Sequence, residues 1–202
     1  MRIIDCRQQT ESWDELRHRP TASEFGNFVT PARGDYSKQA TAYAAKIISK
    51  RKGAYIEPPP SFWMEWGIEH ESAAKRAYTA LSGNTVTEVG FIMPDHSDSY
   101  GGSPDGLVGV SGMIEVKCPA PETLIGYHAK GELPSNYKPQ VQGLLMISGR
   151  EWCDFFGYHP ALPPFLLRVH ADEQYQTKIA EGLLRLLEEI KDIERKLTKT
   201  IF

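Results

Sequence analysis

The sequence predicts an α/β (mixed α+β) domain: a central mixed β-sheet of about five strands flanked by helices. Two observations carry this. Apolar residues recur at helical spacing before residue 84, and from Thr85 to His170 the pattern shortens to that of strands. Helical segments then reappear between and after those strands, so helices flank the sheet in sequence as well as in space.

The elements follow in chain order. "TASEFGNFV", from Thr21, reads as a helix with Thr21 or Ser23 as its cap, and "YSKQATAYAAKIISKRKG" as a second helix ended by Gly53. The prolines of "IEPPPS" break the chain. A long helix runs from Ser61 to Gly83-Asn84, with Phe62, Trp66, Ala73, Ala77 and Leu81 as its expected apolar stripe. "TVTEVGFIM", "GLVGV", "GMIEVKC", "EWCDFFGYH" and "FLLRVH" are the expected strands. "PETLIGYHAKG" and "SNYKPQVQGLLMISG" are helices between them, the second buried through Val141, Leu144, Leu145 and Ile147. The last helix, "ADEQYQTKIAEGLLRLLEEIKDIERKL", carries acids early and bases late, as the helix dipole favours.

Composition narrows the function classes. The 202 residues, 41% hydrophobic and 24% charged, suit one domain spanning 1–202. No run of eighteen apolar residues and no apolar leader appears, so the expected location is cytoplasmic, with no membrane partner. Cys6, Cys118 and Cys153 are odd in number and widely spaced, which argues against a disulfide framework or a zinc site. The net charge of −3 argues against a uniformly basic nucleic-acid binder. Its distribution is uneven, however. Arg17, Arg19, Arg33, Lys38, Lys46, Lys50, Arg51 and Lys52 make the first quarter basic, while acids gather between Asp172 and Glu194.

The chemistry concentrates in "GGSPDGLVGVSGMIEVKCPAP". A hairpin of 105–110 and 112–118 turning at Ser111-Gly112 puts Glu115 and Lys117 on one strand face and points Val116 into the core. Asp105 enters from the partner strand near the same edge. Two carboxylates brought together repel unless a cation lies between them, and hard oxygen donors suit Mg²⁺ or Mn²⁺. A lysine beside such an ion can orient a water or stabilise charge on a phosphate. The plainer alternative is a turn aspartate followed by a solvent-facing Glu-Lys pair, and for so short a pattern that alternative is the commoner one.

Further residues sharpen the choice. Glu71, on the long helix, is a carboxylate able to reach the same cluster or an ordinary member of a wet helix face. Gln140 offers an amide for a water or phosphate oxygen. Arg17 and Ser23 supply a guanidinium and a hydroxyl for an anion.

Taken in order, "SWDELR" with "TASEF", "WGIEHE", "SPDGL", "IEVKCP" and "QVQGLLMISG" resemble the lambda exonuclease family of phage recombination nucleases, within the PD-(D/E)xK superfamily. The resemblance spans roughly residues 12 to 150. It implies a restriction-endonuclease-like fold and a Mg²⁺-dependent 5′-to-3′ exonuclease acting on double-stranded DNA ends beside a single-strand annealing protein. It also implies a homotrimeric ring, encoded by a phage or prophage and working in the bacterial cytoplasm. Carried over, Asp105 and Glu115 with the backbone carbonyl of Val116 are metal ligands, Lys117 activates the water, Glu71 supports the metal cluster and Gln140 orients the nucleophile. Arg17 and Ser23 grip the 5′-phosphate, with Arg19 a rival because "HRP" shortens the spacer. Met64 falls at a strand-separating wedge. Two alternatives stay open: another PD-(D/E)xK endonuclease of restriction or repair type, and a non-catalytic DNA-binding module on the same fold.

Overall fold

The computed structural model describes residues 1–199; the last three positions of the expected domain lie outside the described residues. A five-stranded sheet runs in the order β2 (Val86–Thr87), β4 (Gly106–Val108), β5 (Gly112–Lys117), β6 (Trp152–Gly157), β7 (Phe165–His170). All neighbours are antiparallel except β5 and β6. That one parallel step needs a crossover, supplied by α4 (Pro121–Lys130) and α5 (Lys138–Ser148). A short second sheet pairs β1 (Arg2–Ile4) with β3 (Phe91–Met93).

Alternation along β5 divides the core in two. Met113 faces the larger core, built with α2 (Ala40–Arg51), α5 and α6 (Glu173–Lys199) and anchored by Phe25, Phe28, Leu144 and Ile179. Ile114 and Val116 face the other side, against Ala74 and Tyr78 of α3 (Phe62–Ser82). Val116 therefore points into a core as its position in the strand predicts, and Glu115 falls on the α5 side.

Several elements differ from the sequence expectation. "TVTEVGFIM" is two strands in two sheets, because the chain turns at Gly90, where any Cβ would lie 1.8 Å from the Cys6 carbonyl oxygen. The segment after Thr21 is a 3₁₀-helix, Ala22–Asn27, whose preceding Thr21 makes no side-chain cap bond. The hairpin turns at residues 109–111 and not at Ser111-Gly112, since Val108 already pairs with Gly112. Arg150 closes that turn, donating from Nη1 to the Gly112 and Gly109 carbonyls at 2.6 and 3.0 Å. On α3 the fully buried positions are Ala74 and Tyr78, while Phe62 and Leu81 of the expected stripe are exposed. Tyr78 tolerates complete burial because its hydroxyl donates to Asp154 at 2.7 Å. Among the described residues, no helix is long and apolar enough to cross a membrane.

Candidate active site

The site forms where β4 and β5 part. Their pairing ends at Gly106 opposite Ile114, and Gly106 is bare because a Cβ there would meet Val86 of β2 at 2.2 Å. One residue earlier, Asp105 Oδ2 accepts the Val116 backbone N–H at 2.6 Å. The aspartate thus satisfies a strand amide that β4 no longer reaches. Glu115, only 1% exposed, accepts at Oε1 from Lys117 Nζ and from Gln140 Nε2, both at 2.6 Å. Its Oε2 is buried without any partner.

Lys117 lies over the ring of Tyr137, with Nζ 5.1 Å from the centroid. Glu71 accepts from Lys75 at 2.7 Å, and Lys75 also reaches Glu88 at 3.2 Å. Two hollows meet here. A cleft of about 680 Å³ is lined by Trp63, Met64, Glu71, Asp105, Lys117 and Tyr137. A cavity of about 540 Å³ runs between the N-terminal segment and Glu88–Gly90, and Glu71 and Asp105 line both.

The electrostatics follow from burial and crowding. Burial first, then the charge of Glu115, pushes the Asp105 carboxyl up to about 8. The Lys117 charge and the Val116 N–H oppose that rise without cancelling it. For Lys117 burial acts downward, but the charges of Glu115 and Asp105 outweigh it and hold the ammonium well above its usual range. The Cys118 thiol is raised to about 12 by burial and the nearby carboxylates, so it stays protonated.

The donor set fits a hard divalent cation. One acidic oxygen is orphaned in a buried site, and a second carboxylate is held protonated chiefly by desolvation and by repulsion from Glu115. Among the described residues, no three His, Cys, Asp or Glu side chains form a ready-made metal cluster. Two carboxylates and a main-chain carbonyl suit Mg²⁺, which keeps waters and completes its shell with substrate oxygens. Glu71, expected in the cluster, instead directs Oε1 to Lys75.

The remaining expected residues are spread around this centre. Arg17 stacks over Trp13 at 4.5 Å, and the Trp13 indole donates to Ser103 Oγ at 2.8 Å, two residues before Asp105. Arg17 lines a small hollow with Thr21 and Lys46, while Ser23 is exposed with its hydroxyl 3.4 Å from that of Thr21. Arg19 goes elsewhere: it donates to the Asp98 carbonyl at 2.6 Å and lines a different hollow with His18 and Arg51. Met64 is exposed at the cleft edge. Trp13, Tyr137 and Gln8, which donates to the Val89 and Pro104 carbonyls, are additions the sequence reading missed. Trp13 and Tyr137 stood at helical spacing from Arg17 and Gln140, the one signal available for them.

A mixed sheet that opens onto two carboxylates, a lysine and a glutamine defines a nuclease of the PD-(D/E)xK type. The chain belongs to the family described as the YqaJ-like viral recombinase domain, whose model matches residues 12–151. It is similar to an alkaline exonuclease, LHK-Exo, from Laribacter hongkongensis, at 32% identity and a TM-score of 0.80 over 95% of this chain and 100% of that one. The same exonuclease in complex with dAMP matches equally well. A phage-related exonuclease from Haemophilus somnus 129PT shares the fold at 13% identity, with a TM-score of 0.72 over 89% of this chain and 96% of that one. Among curated proteins none matches.

Proposed function

We propose that this protein is a Mg²⁺-dependent exonuclease, accepting Mn²⁺, that degrades one strand of duplex DNA from its 5′ end during phage-type recombination. The observation that carries this reading is the buried, unpartnered Oε2 of Glu115 in one site with Asp105, Lys117 and Gln140. Membership in a viral recombinase family supports a recombination nuclease, and the likeness to an alkaline exonuclease supports action on DNA.

In this reading Asp105, Glu115 and the Val116 carbonyl hold the ion. Once bound it supplies positive charge that acidifies a water and offsets charge on the attacked phosphate. Gln140 and Lys117 both touch Glu115 Oε1, which supports a reading in which the two flank the attacking water. Lys117, kept protonated by its two acidic neighbours, donates to a phosphate oxygen and stabilises the charge that develops. The water oxygen bonds to phosphorus and gives its proton to solvent while the phosphorus–3′-oxygen bond breaks; the 3′ oxygen takes up a proton, and a 5′-mononucleotide leaves. Glu71 keeps Lys75 at the rim and adds negative field to the cluster. Arg17 and Ser23 grip the 5′-phosphate, since Arg17 is tied through Trp13 to the loop that carries Asp105. Met64 parts the terminal base pair at the cleft edge. A ring of three copies, with an annealing protein taking the exposed strand, completes the proposal, which we locate in the cytoplasm of a bacterial host.

The test uses linear duplex labelled at either end, with Mg²⁺, beside covalently closed plasmid. Mononucleotides released from 5′ ends, intact plasmid and an inactive Lys117→Ala variant are expected. Cleavage of closed plasmid would make the protein an endonuclease, and full activity without Lys117 would remove the site from the reaction.

A further inference from the structure

The first turn of α3 presents more apolar surface than its packing requires. Pro58, Pro59 and Pro60 stiffen the approach, and the Ser61 hydroxyl caps the helix by accepting from the Met64 N–H. Phe62 is then 65% exposed and Trp63 43% exposed, beside exposed Met64 and Ile68. Exposed apolar residues standing singly are ordinary, but a contiguous aromatic patch marks a binding surface.

Ring contacts brace the patch. Trp66 stacks with His70, 3.7 Å away and nearly parallel, and with His159 at 5.6 Å. His70 is itself fixed by a 2.9 Å contact between Nδ1 and the Trp66 carbonyl. Trp63 meets Trp66 edge-on at 6.0 Å, and Phe62 meets Trp63 edge-on at 5.0 Å. Trp63 keeps much of its surface open despite these contacts.

Trp63, Met64, Gly67 and Ile68 line the same cleft as Asp105 and Lys117, so whatever occupies the patch is continuous with whatever reacts. This first turn carries Glu65 and no cation, so it offers a DNA chain ring faces and not phosphate contacts. A base separated from its duplex has lost its stacking partners, and an aromatic face replaces them whatever the sequence. We propose that Trp63, buttressed by Phe62 and Trp66, is a stacking site for an unpaired nucleobase of single-stranded DNA passing through the cleft. This rests on the cleft being a nuclease site, and it names the form of DNA that the site's mouth holds.

The experiment measures binding of a fluorescent single-stranded oligonucleotide by anisotropy, with Ca²⁺ replacing Mg²⁺ to hold back cleavage. Wild type, Trp63→Ala, Trp63→Phe and Phe62→Ala are compared, with circular dichroism and light scattering on each. Trp63→Ala is expected to weaken binding about tenfold, Trp63→Phe less than about threefold, and the Trp63→Ala loss to persist as salt is raised. Unchanged affinity in folded Trp63→Ala overturns the proposal, as does a wild type that binds no single strand. A variant that alters only the oligomeric state assigns the patch to contacts between copies and also overturns it. Exonuclease assays on the same samples separate the two readings: cleavage without any effect of Trp63 on binding defeats the stacking site alone, and Trp63-dependent binding without cleavage defeats the nuclease alone.

Discussion

Two buried acidic clusters sit on the same sheet, and they are built to opposite ends. Asp154 on β6 lies directly across from Arg168 on β7 and accepts two bonds from it, Nε and Nη2, each at 2.8 Å. Tyr78 donates a third bond to Asp154, and the guanidinium stacks on Trp152 at 3.6 Å. No oxygen of Asp154 is left over. At the end of β5, by contrast, Glu115 keeps an orphaned oxygen and Asp105 is driven toward its neutral form by burial and then by the Glu115 charge. A buried charge that serves the fold is paired until it is satisfied, whereas this one is held short of satisfaction. That shortfall marks the second cluster as the chemical one.

Substitution should break the comparison in opposite senses. Glu115→Gln removes a metal oxygen, and nuclease activity in the end-labelled assay is expected to fall by about a thousandfold or more, as when preorganised charge is lost from an active site. Its metal-free melting temperature should change little, because the Lys117 ammonium that loses the Glu115 charge can pair with Asp105, whose carboxyl ionises more readily once that charge is gone. Asp154→Ala instead leaves the buried Tyr78 hydroxyl without its acceptor and the half-exposed Arg168 without its carboxylate. It should cost roughly 1–4 kcal/mol of stability by denaturant unfolding, with any loss of activity following unfolding alone. Gln140→Ala should lower the rate at saturating DNA by roughly ten- to a hundredfold, and because it also removes a donor from buried Glu115 it should cost about 1.5–3 kcal/mol of metal-free stability. Tyr78→Phe removes one neutral partner of Asp154 and should cost about 1 kcal/mol.

Acidity sharpens the same contrast more gently. The folded-state Asp105 carboxyl titrates near 8, above its unfolded value. Between those values the folded chain holds the extra proton, so this group's contribution to stability is present at low pH and declines as pH rises toward 8. Divalent ions must displace that proton. Melting curves at pH 6 and pH 9 should therefore show metal-free stability falling and the Mg²⁺-induced rise in melting temperature growing with pH. An Mg²⁺ shift equal at both values would break the link between Asp105 and the ion.

Much of this architecture was legible because it is local. The alternation of "GMIEVKC" alone puts Glu115 and Lys117 on one side and Val116 on the other, and the observed strand keeps that division. The apolar spacing of α5 likewise foretold the burial of Val141, Leu144, Leu145 and Ile147. What escaped was non-local or very short. β1 has three residues and exists only because β3 pairs with it, and α1 (Glu11–Leu16) has six residues and buries none. The separation of Arg17 from Arg19 depends on which distant partner each finds, Trp13 beside Ser103 or the Asp98 carbonyl. In the site, residue identities were readable and their pairings were not. No pattern in "WGIEHESAAK" says whether Glu71 turns to an ion or to Lys75.

The bond from the Val116 N–H to Asp105 gives the strand a built-in indicator. That amide is protected from solvent deuterium by the same carboxylate that would turn toward an ion. Its exchange rate should therefore report occupancy of the pocket in a protein that is cutting nothing.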